Sequence, residues 1–187
     1  MKQSLGAKTL AVPSPVWLVG TYDEKDKPNA MTAAWGGICC SRPPCLQVSL
    51  RAATYSHGNI MKRKAFTVSI PSEEHWREAD YIGIVSGRDT NKIVDIEWTP
   101  VKSEFVDAPY YRECPMVIEC SLKEVVELGL HTLFVGEIMD VKVDESSITN
   151  GRPDIQKIKP IIFGSGDSGY FSVGEKIADA FKQRTPP

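Results

Sequence analysis

The sequence predicts a mainly β protein, in which six or more short strands form a closed or nearly closed barrel with a few peripheral helices. Several short apolar or β-branched runs are separated by turns rich in Pro, Gly and charged residues, and few segments carry helical signals. Barrel closure also removes exposed strand edges. For 187 residues we expect a single domain over 1–187, with a short N-terminal extension over about residues 1–12.

The first third of the chain predicts three strands. Residues 16–22 and 30–40 flank the polar turn at 23–28, which suggests a hairpin. Residues 41–44, Ser-Arg-Pro-Pro, then force a second turn before a strand over 45–51, because proline cannot donate hydrogen bonds inside a central strand.

Helical signals follow this first sheet. Residues 55–63 predict a short helix and 65–70 a β-branched strand. Ser72 resembles an N-cap before an acidic first turn, which predicts a helix to about Val85 with Trp76 packed inward.

The second half predicts more strands and one helix. Residues 98–115 show no clear period and form a long connection interrupted by prolines. The remaining predicted elements are strands over 117–126 and 132–143 joined by a turn at Gly129, strands over 160–163 and 170–173, and a terminal helix over about 175–181.

Charge and cysteine content restrict the possible partners and the compartment. The formal net charge is -2, with no basic or acidic block, so neither nucleic acid nor an anionic membrane is expected as the main partner. The apolar run 16–19 is far too short to span a bilayer. An odd number of cysteines, no recognisable signal peptide and no glycosylation acceptor predict free thiols in a reducing cytoplasm.

Several motifs fail when their context is considered. Residues 164–169 fit G-x-G-x-x-G, but no helix opens directly after them and the required acidic residue would lie beyond residue 187. The same segment contains Gly-Asp-Ser-Gly, but Tyr170 follows where trypsin-like proteases have glycine. There is no Walker loop, H-E-x-x-H or paired C-x-x-C, so no metal site is predicted.

Scattered polar residues in small-residue settings remain. The run 29–35 places small side chains before the indole of Trp35, which suggests a slot for a flat ligand. Arg51 ends a strand just before the Thr54 and Ser56 hydroxyls and a helix, an arrangement that suits a phosphate. Each segment also has a purely structural explanation. Arg51 can be a surface arginine beside a helix cap, residues 86–92 can be a helix C-cap and loop, and His131 can be a structural histidine in a strand.

Taken in order along the chain, these segments resemble the flavin reductase-like family of FMN-binding split barrels, most of all its flavoredoxin-type members. The resemblance runs from about residue 13 to the last predicted helix. The segments that carry it are Pro15-Val16-Trp17-Leu18-Val19, Asn29-x-x-Thr32-x-x-Trp35, Arg51 with Thr54-Tyr55-Ser56, Ser86-Gly87-Arg88-Asp89-x-x-Lys92, Glu119-Cys120 and His131-Thr132-Leu133-Phe134-Val135-Gly136-Glu137.

The resemblance implies a Greek-key split β-barrel that forms a homodimer and holds FMN non-covalently near the subunit interface. It implies two groups of FMN-binding residues and one loop that presents a lysine. The ring is approached by Asn29, Trp35, Lys92, His131 and Phe163, the ribityl phosphate by Thr32, Arg51, Thr54 and Ser56, and the loop is shaped by Ser86 and Asp89. Ala34 is a further cofactor-binding residue.

The expected function is an oxidoreductase that transfers electrons through FMN and accepts hydride from NAD(P)H. Because the chain offers no Rossmann domain, a nicotinamide would have to stack directly in the FMN cleft. A flavoredoxin-like carrier that exchanges electrons with a redox protein is the first alternative, and a non-catalytic flavin or haem binding module is the second. Cys39 and Cys40 follow Trp35 closely and are either buried packing residues or thiols near the flavin.

Overall fold

The computed structural model describes residues 1–182 and consists mainly of strands. Its strands are β1 Ser14–Pro15, β2 Trp17–Tyr22, β3 Pro28–Ala33, β4 Gly36–Ser41, β5 Pro44–Arg51, β6 Ala65–Ile70, β7 Pro100–Lys102, β8 Pro109–Tyr111, β9 Met116–Glu127, β10 His131–Val143, β11 Ile148–Thr149, β12 Arg152–Pro153, β13 Ile162–Gly164 and β14 Gly169–Phe171. Its helices are α1 Tyr55–Arg63, α2 Trp76–Ile84, α3 Lys92–Asp95 and α4 Ile155–Ile158, with 3-10 turns at Glu73–His75 and Glu145–Ser147.

Seven antiparallel strands form the barrel, in the order β3-β2-β6-β9-β10-β5-β4. Three pairs of consecutive strands are neighbours, and the chain crosses from β5 to the non-adjacent β6 through α1. This connection gives the sheet its Greek-key character. The edge strands β3 and β4 do not pair with each other in this sheet. The predicted mainly β, Greek-key split barrel is therefore confirmed.

Two apolar clusters stabilise the fold. The first fills the barrel and includes Phe66 and Phe134, both fully buried. The second joins the outer face of β2 and β3 to α2, α3 and the strand β13. Its small member Ala79 lets α2 approach β3 closely, since the Thr32 hydroxyl donates a 2.5 Å hydrogen bond to the Ala79 carbonyl. The helix is thereby held against the strand that carries much of the candidate site.

Most sequence-predicted elements are confirmed within a few residues. The helix over 55–63 and the strand over 65–70 have the predicted bounds. The turn at Gly129 also forms, with φ at 82°, in the left-handed region that glycine tolerates.

The predicted single strand over 30–40 is wrong. It is two strands, β3 and β4, separated by Ala34 and Trp35, because the chain changes sheet partner there from β2 to β5. Gly36 begins β4 so close to Trp17 that a Cβ at this position would collide with the indole ring. The close approach therefore explains the glycine.

Predictions about the helices and the long connection also need correction. Ser72 makes no side-chain capping bond, and α2 begins only at Trp76 after a 3-10 turn. Trp76 is 42% exposed, because Ala79 and Ile82 form the buried face of α2. Residues 98–115 contain the short antiparallel pair β7 and β8.

The terminal helix predicted over 175–181 does not form. Ile177 and Phe181 are both fully exposed, so this segment has no apolar face packed against the barrel. Short helices in water depend on such packing.

Candidate functional site

A polar cavity of about 270 Å³ lies beside the N-terminus of α1. Its walls come from β3, the first turn of α1, the C-terminal end of α2 and the loop that leads to α3. Five of the sequence-predicted residues line it together: Asn29, Thr54, Ser56, Ser86 and Lys92. The fold thus unites residues that are up to 63 positions apart in the sequence.

Lys92 places a buried ammonium group in the wall of this cavity. The residue is 4% exposed, and its Nζ donates 2.8 Å hydrogen bonds to the carbonyls of Ile82 and Val85 at the end of α2. These carbonyls lie at the negative end of the helix dipole, which favours a cation. Burial lowers the pKa of Lys92 from 10.5 to about 8. An ammonium has three donors, so one remains for a ligand.

Asn29 contributes an unpartnered acceptor to the same cavity. Its side chain is buried, and Nδ2 donates to Ser56 Oγ at 2.9 Å and to Thr21 Oγ1 at 3.3 Å. Within the described residues, its Oδ1 is buried without any hydrogen-bond partner. Gly87 leaves room for this oxygen, since a Cβ there would collide with it. A buried acceptor without a partner is costly, so a ligand that donates a hydrogen bond fits here.

The N-terminus of α1 supplies positive potential to the same cavity, beside Asn29, whose Nδ2 is bound to Ser56 in the first turn of the helix. Thr54 is the N-cap residue, and its hydroxyl accepts from the His57 backbone N–H and donates to the Arg51 carbonyl. No acidic residue stands in the first turn of this nine-residue helix. The first backbone N–H groups of a helix have no partner inside the helix, so this end attracts anions.

Arg51 precedes the cavity-lining residues 53 and 54 and lies across the β5 and β10 ladder from His131. It is exposed at the end of β5. The His131 ring lies 4.7 Å from the Trp35 ring, centroid to centroid, at 39°. Trp35 is itself 40% exposed. We call Arg51, Trp35 and His131 the rim; it is joined to the cavity through the short segment 52–54.

The other predicted residues lie apart from the cavity. Thr32 faces α2, where the Ala79 carbonyl engages its hydroxyl, and Ala34 connects β3 to β4. Asp89 is exposed, and its backbone N–H donates to the Ser86 carbonyl. Phe163 lies on β13, packs against the second apolar cluster and stands 6.0 Å from the Tyr170 ring. The structure brings none of these four into the cavity wall.

Arg88 and Tyr55 are two cavity residues that the sequence-predicted set does not include. The Arg88 guanidinium lies 5.4 Å from the Tyr55 ring centroid and donates to the Ala53 carbonyl at 2.8 Å. The Tyr55 hydroxyl donates to Asp23 Oδ2 at 2.8 Å, which fixes the ring. Both lie inside the segments that carry the family resemblance, next to predicted site residues. The sequence alone could therefore have indicated them as site residues.

A larger cavity of about 400 Å³ lies between β1, β13 and α4. Its walls are almost entirely apolar, with Val16, Trp17, Ile158 and Ile161 among them. Because specific ligand sites need a few placed polar groups, we assign the candidate site to the smaller polar cavity. In the described part of the chain, no helix is long and apolar enough to cross a membrane, and no cluster of three potential metal ligands occurs.

Fold and site together define a split-barrel protein with a polar small-molecule cavity at a helix N-terminus. The sequence pattern of the flavin reductase like domain matches residues 9–163. The chain belongs to the flavin reductase-like family.

Solved structures support this assignment. The flavoredoxin of Desulfovibrio vulgaris (Miyazaki F) is 55% identical, with a TM-score of 0.94 over 97% of this chain and 98% of that one. A flavoredoxin from Methanosarcina acetivorans is 28% identical, with a TM-score of 0.90 over 97% of both chains. An FMN-binding protein from Thermus thermophilus, with 23% identity and a TM-score of 0.80 over 96% and 97% of the two chains, shares the fold.

Proposed function

We propose that this protein is an oxidoreductase that holds FMN non-covalently in the cavity at the N-terminus of α1. One observation carries the proposal: a buried ammonium, an unpartnered buried amide oxygen and a helix N-terminus converge on one cavity. FMN has matching groups, since its ring edge carries carbonyl oxygens and an N–H and its ribityl chain ends in a phosphate. A bound flavin would supply the electron-transfer chemistry, and the protein would supply position and charge.

At the ring end, Lys92 would donate a hydrogen bond to the flavin and Asn29 would accept one from it. The third N–H of the Lys92 ammonium can donate to a ring carbonyl, while Asn29 Oδ1 can accept from the ring N–H. A cation beside the ring also stabilises negative charge gained on reduction, which raises the reduction potential. Trp35 and His131 at the rim would contact the ring from its open side, and Ala34 and Phe163 belong to the proposed ring surroundings.

At the phosphate end, the N-terminus of α1 would bind the anion together with nearby donors. Thr54 and Ser56 belong to this end, and the Arg51 guanidinium projects from the strand immediately before it. Arginine binds phosphate through paired N–H groups. We propose Thr32 as a further member of this group, and Ser86 and Asp89 as residues that shape the loop before Lys92.

The similar proteins of known structure support a flavin that exchanges electrons. Two of them are flavoredoxins and one is an FMN-binding protein. We propose NADH or NADPH as the electron donor, and a redox protein partner as the alternative. We place the protein in the cytoplasm, where its five free cysteines fit a reducing environment.

We further propose a homodimer with the flavin near the subunit interface. The tip of the β9 and β10 hairpin, which directly precedes His131, exposes Leu128 by 60% and Leu130 by 65%, and Trp35, whose ring lies 4.7 Å from the His131 ring, is 40% exposed. Such a grouping of large apolar side chains is typical of a protein interaction surface. A second copy of the chain would cover it, and sedimentation velocity on the purified protein measures this directly.

The spectrum of the purified protein under anaerobic conditions distinguishes the candidate functions. A yellow protein whose flavin absorption bleaches on addition of NADH or NADPH supports the reductase. A yellow protein that responds only to a low-potential redox protein supports the electron carrier. A protein that binds FMN but is reduced by neither is a flavin-binding module, and one that cannot bind FMN contradicts the whole proposal.

A further inference from the structure

Cys40 and Cys45 form a thiol pair across the hairpin of β4 and β5. The two residues stand directly opposite each other in the antiparallel register. Opposite residues in such a ladder have Cα atoms about 4.5 or 5.5 Å apart, depending on the hydrogen-bonding type of the pair. Both spacings fall inside the range of about 4.4 to 6.8 Å that a disulfide spans. Their side chains also leave the same face of the sheet, because opposite residues in a ladder share a face.

We propose that Cys40 and Cys45 are a reversible dithiol–disulfide pair, oxidised by a small-molecule disulfide, in which Cys40 attacks first and Cys45 resolves. The Cys40 thiolate would attack one sulfur of the small disulfide, forming a mixed disulfide and releasing one thiolate. The Cys45 sulfur then attacks Cys40, loses its proton and releases the second small thiol. Two protein thiols lose two electrons and two protons, and the small disulfide gains them.

The assignment of roles follows from exposure. Cys40 lies on β4, an edge strand of the barrel, and is exposed. Cys45 is 2% exposed, and burial together with the neighbouring thiols Cys40 and Cys39 raises its pKa. A protonated, covered thiol does not attack a dissolved disulfide readily. The Cys45 thiol can, however, attack a mixed disulfide that has already formed on Cys40, directly opposite it.

None of the other three cysteines is part of a pair in which an exposed thiol stands directly opposite a second cysteine. Cys39 is exposed, but it lies at the register irregularity between Ile38 and Cys40 and has no residue opposite it on β5. Cys120 is fully buried in the barrel core, and Cys114 is 3% exposed in the second cluster. The pair is therefore specific to Cys40 and Cys45, and it does not depend on the flavin.

The experiment treats the intact protein with glutathione disulfide, removes the reagent and counts free thiols after denaturation. Trypsin does not cut the Arg42–Pro43 bond, so the three cysteines of this hairpin remain in one peptide for mass spectrometry. We expect wild type to form the intramolecular bond, which makes this peptide two hydrogens lighter, and any glutathione that the peptide retains to be on Cys39, which is exposed and has no residue opposite it. Dithiothreitol is expected to restore the free thiols.

Variants identify the two sulfurs. Cys39→Ser is the matched control and should still lose two thiols through an intramolecular bond. Cys45→Ser should retain one glutathione on residue 40, because the resolving thiol is gone, and Cys40→Ser should form no intramolecular bond. An intramolecular bond that persists in Cys40→Ser, or a wild-type protein that keeps all its thiols or only accumulates glutathione adducts, would overturn the proposal. Flavin binding, followed in parallel by absorbance, reports separately on the proposed function.

Discussion

The buried Lys92 predicts an unusual dependence of stability on pH. Its pKa is about 8 in the folded protein and 10.5 in its ordinary state, because folding removes the ammonium from water. Between these two values the unfolded chain binds more protons than the folded one, so the free energy of unfolding rises with pH. The destabilising effect is fully present below about pH 8 and disappears above 10.5.

The size of the effect follows from the shift. The difference between the two pKa values of Lys92 corresponds to roughly 3 kcal/mol of unfolding free energy, at about 1.4 kcal/mol for each pKa unit. Between pH 7 and pH 9, where tyrosines do not yet ionise, the gain in unfolding free energy from Lys92 alone is about 1 kcal/mol.

The assay is urea denaturation of the flavin-free protein at pH 7 and pH 9, for wild type and Lys92→Met. Methionine preserves the length of the side chain but does not titrate, so the difference between the two proteins isolates the lysine. Wild type should gain about 1 kcal/mol relative to the variant on going to pH 9. A constant difference at both pH values would mean that the ammonium is not desolvated as the structure implies.

Four substitutions test the packing and the charges of the fold, each by urea denaturation at pH 7, with the change at Lys123 as the control for Lys142. Gly136→Ala would place a Cβ 2.6 Å from a core phenylalanine ring and should cost about 1 to 3 kcal/mol, and an unchanged midpoint would refute this contact. Gly58→Ala in α1 meets no atom within 4 Å and should stabilise by up to about 1 kcal/mol, so a loss of stability would contradict the helix geometry. Lys142→Met removes a partly exposed cation 3.1 Å from Glu119 and should cost about 3 kcal/mol, because the fully buried carboxylate then loses its cation. The exposed pair of Lys123 and Glu137 should tolerate Lys123→Met within about 1 kcal/mol. Equal effects of the two substitutions would contradict the role of Lys142 at Glu119.

The sequence predicted those parts of the fold that local signals determine. The helix over 55–63 has an N-cap threonine and basic residues in its last turn, and its bounds were predicted correctly. The change of sheet partner at Ala34 has only one local signal, the Gly36-Gly37 pair, which indicates a bend or a close backbone approach but not which strand the chain pairs with next. The segment over 175–181 has helical spacing, but the described fold offers no apolar surface to receive Ile177 and Phe181.

In the candidate site, too, the sequence predicts which residues take part but not the contacts that depend on the folded geometry. The family resemblance predicts Asn29, Ser56 and Lys92, and the structure brings them to one cavity. The unpartnered Asn29 oxygen and the two carbonyls bound by Lys92 depend on side-chain geometry, which the sequence does not contain. Phe163 was expected near the ring, but its strand pairs with β1 and turns the aromatic ring toward the second cluster. Its role at the flavin stays a prediction.

The most direct test of flavin binding in this cavity is a comparison of FMN with riboflavin, which lacks the phosphate. Fluorescence quenching titrations would measure the affinity of wild type and Arg51→Ala for each compound. Because Arg51 and the N-terminus of α1 are assigned to the phosphate, wild type should bind FMN more tightly than riboflavin, and Arg51→Ala should lose about tenfold or more for FMN and little for riboflavin. Equal affinities of wild type for the two compounds, or equal losses for both in Arg51→Ala, would contradict the assignment of the phosphate end and with it the proposed site.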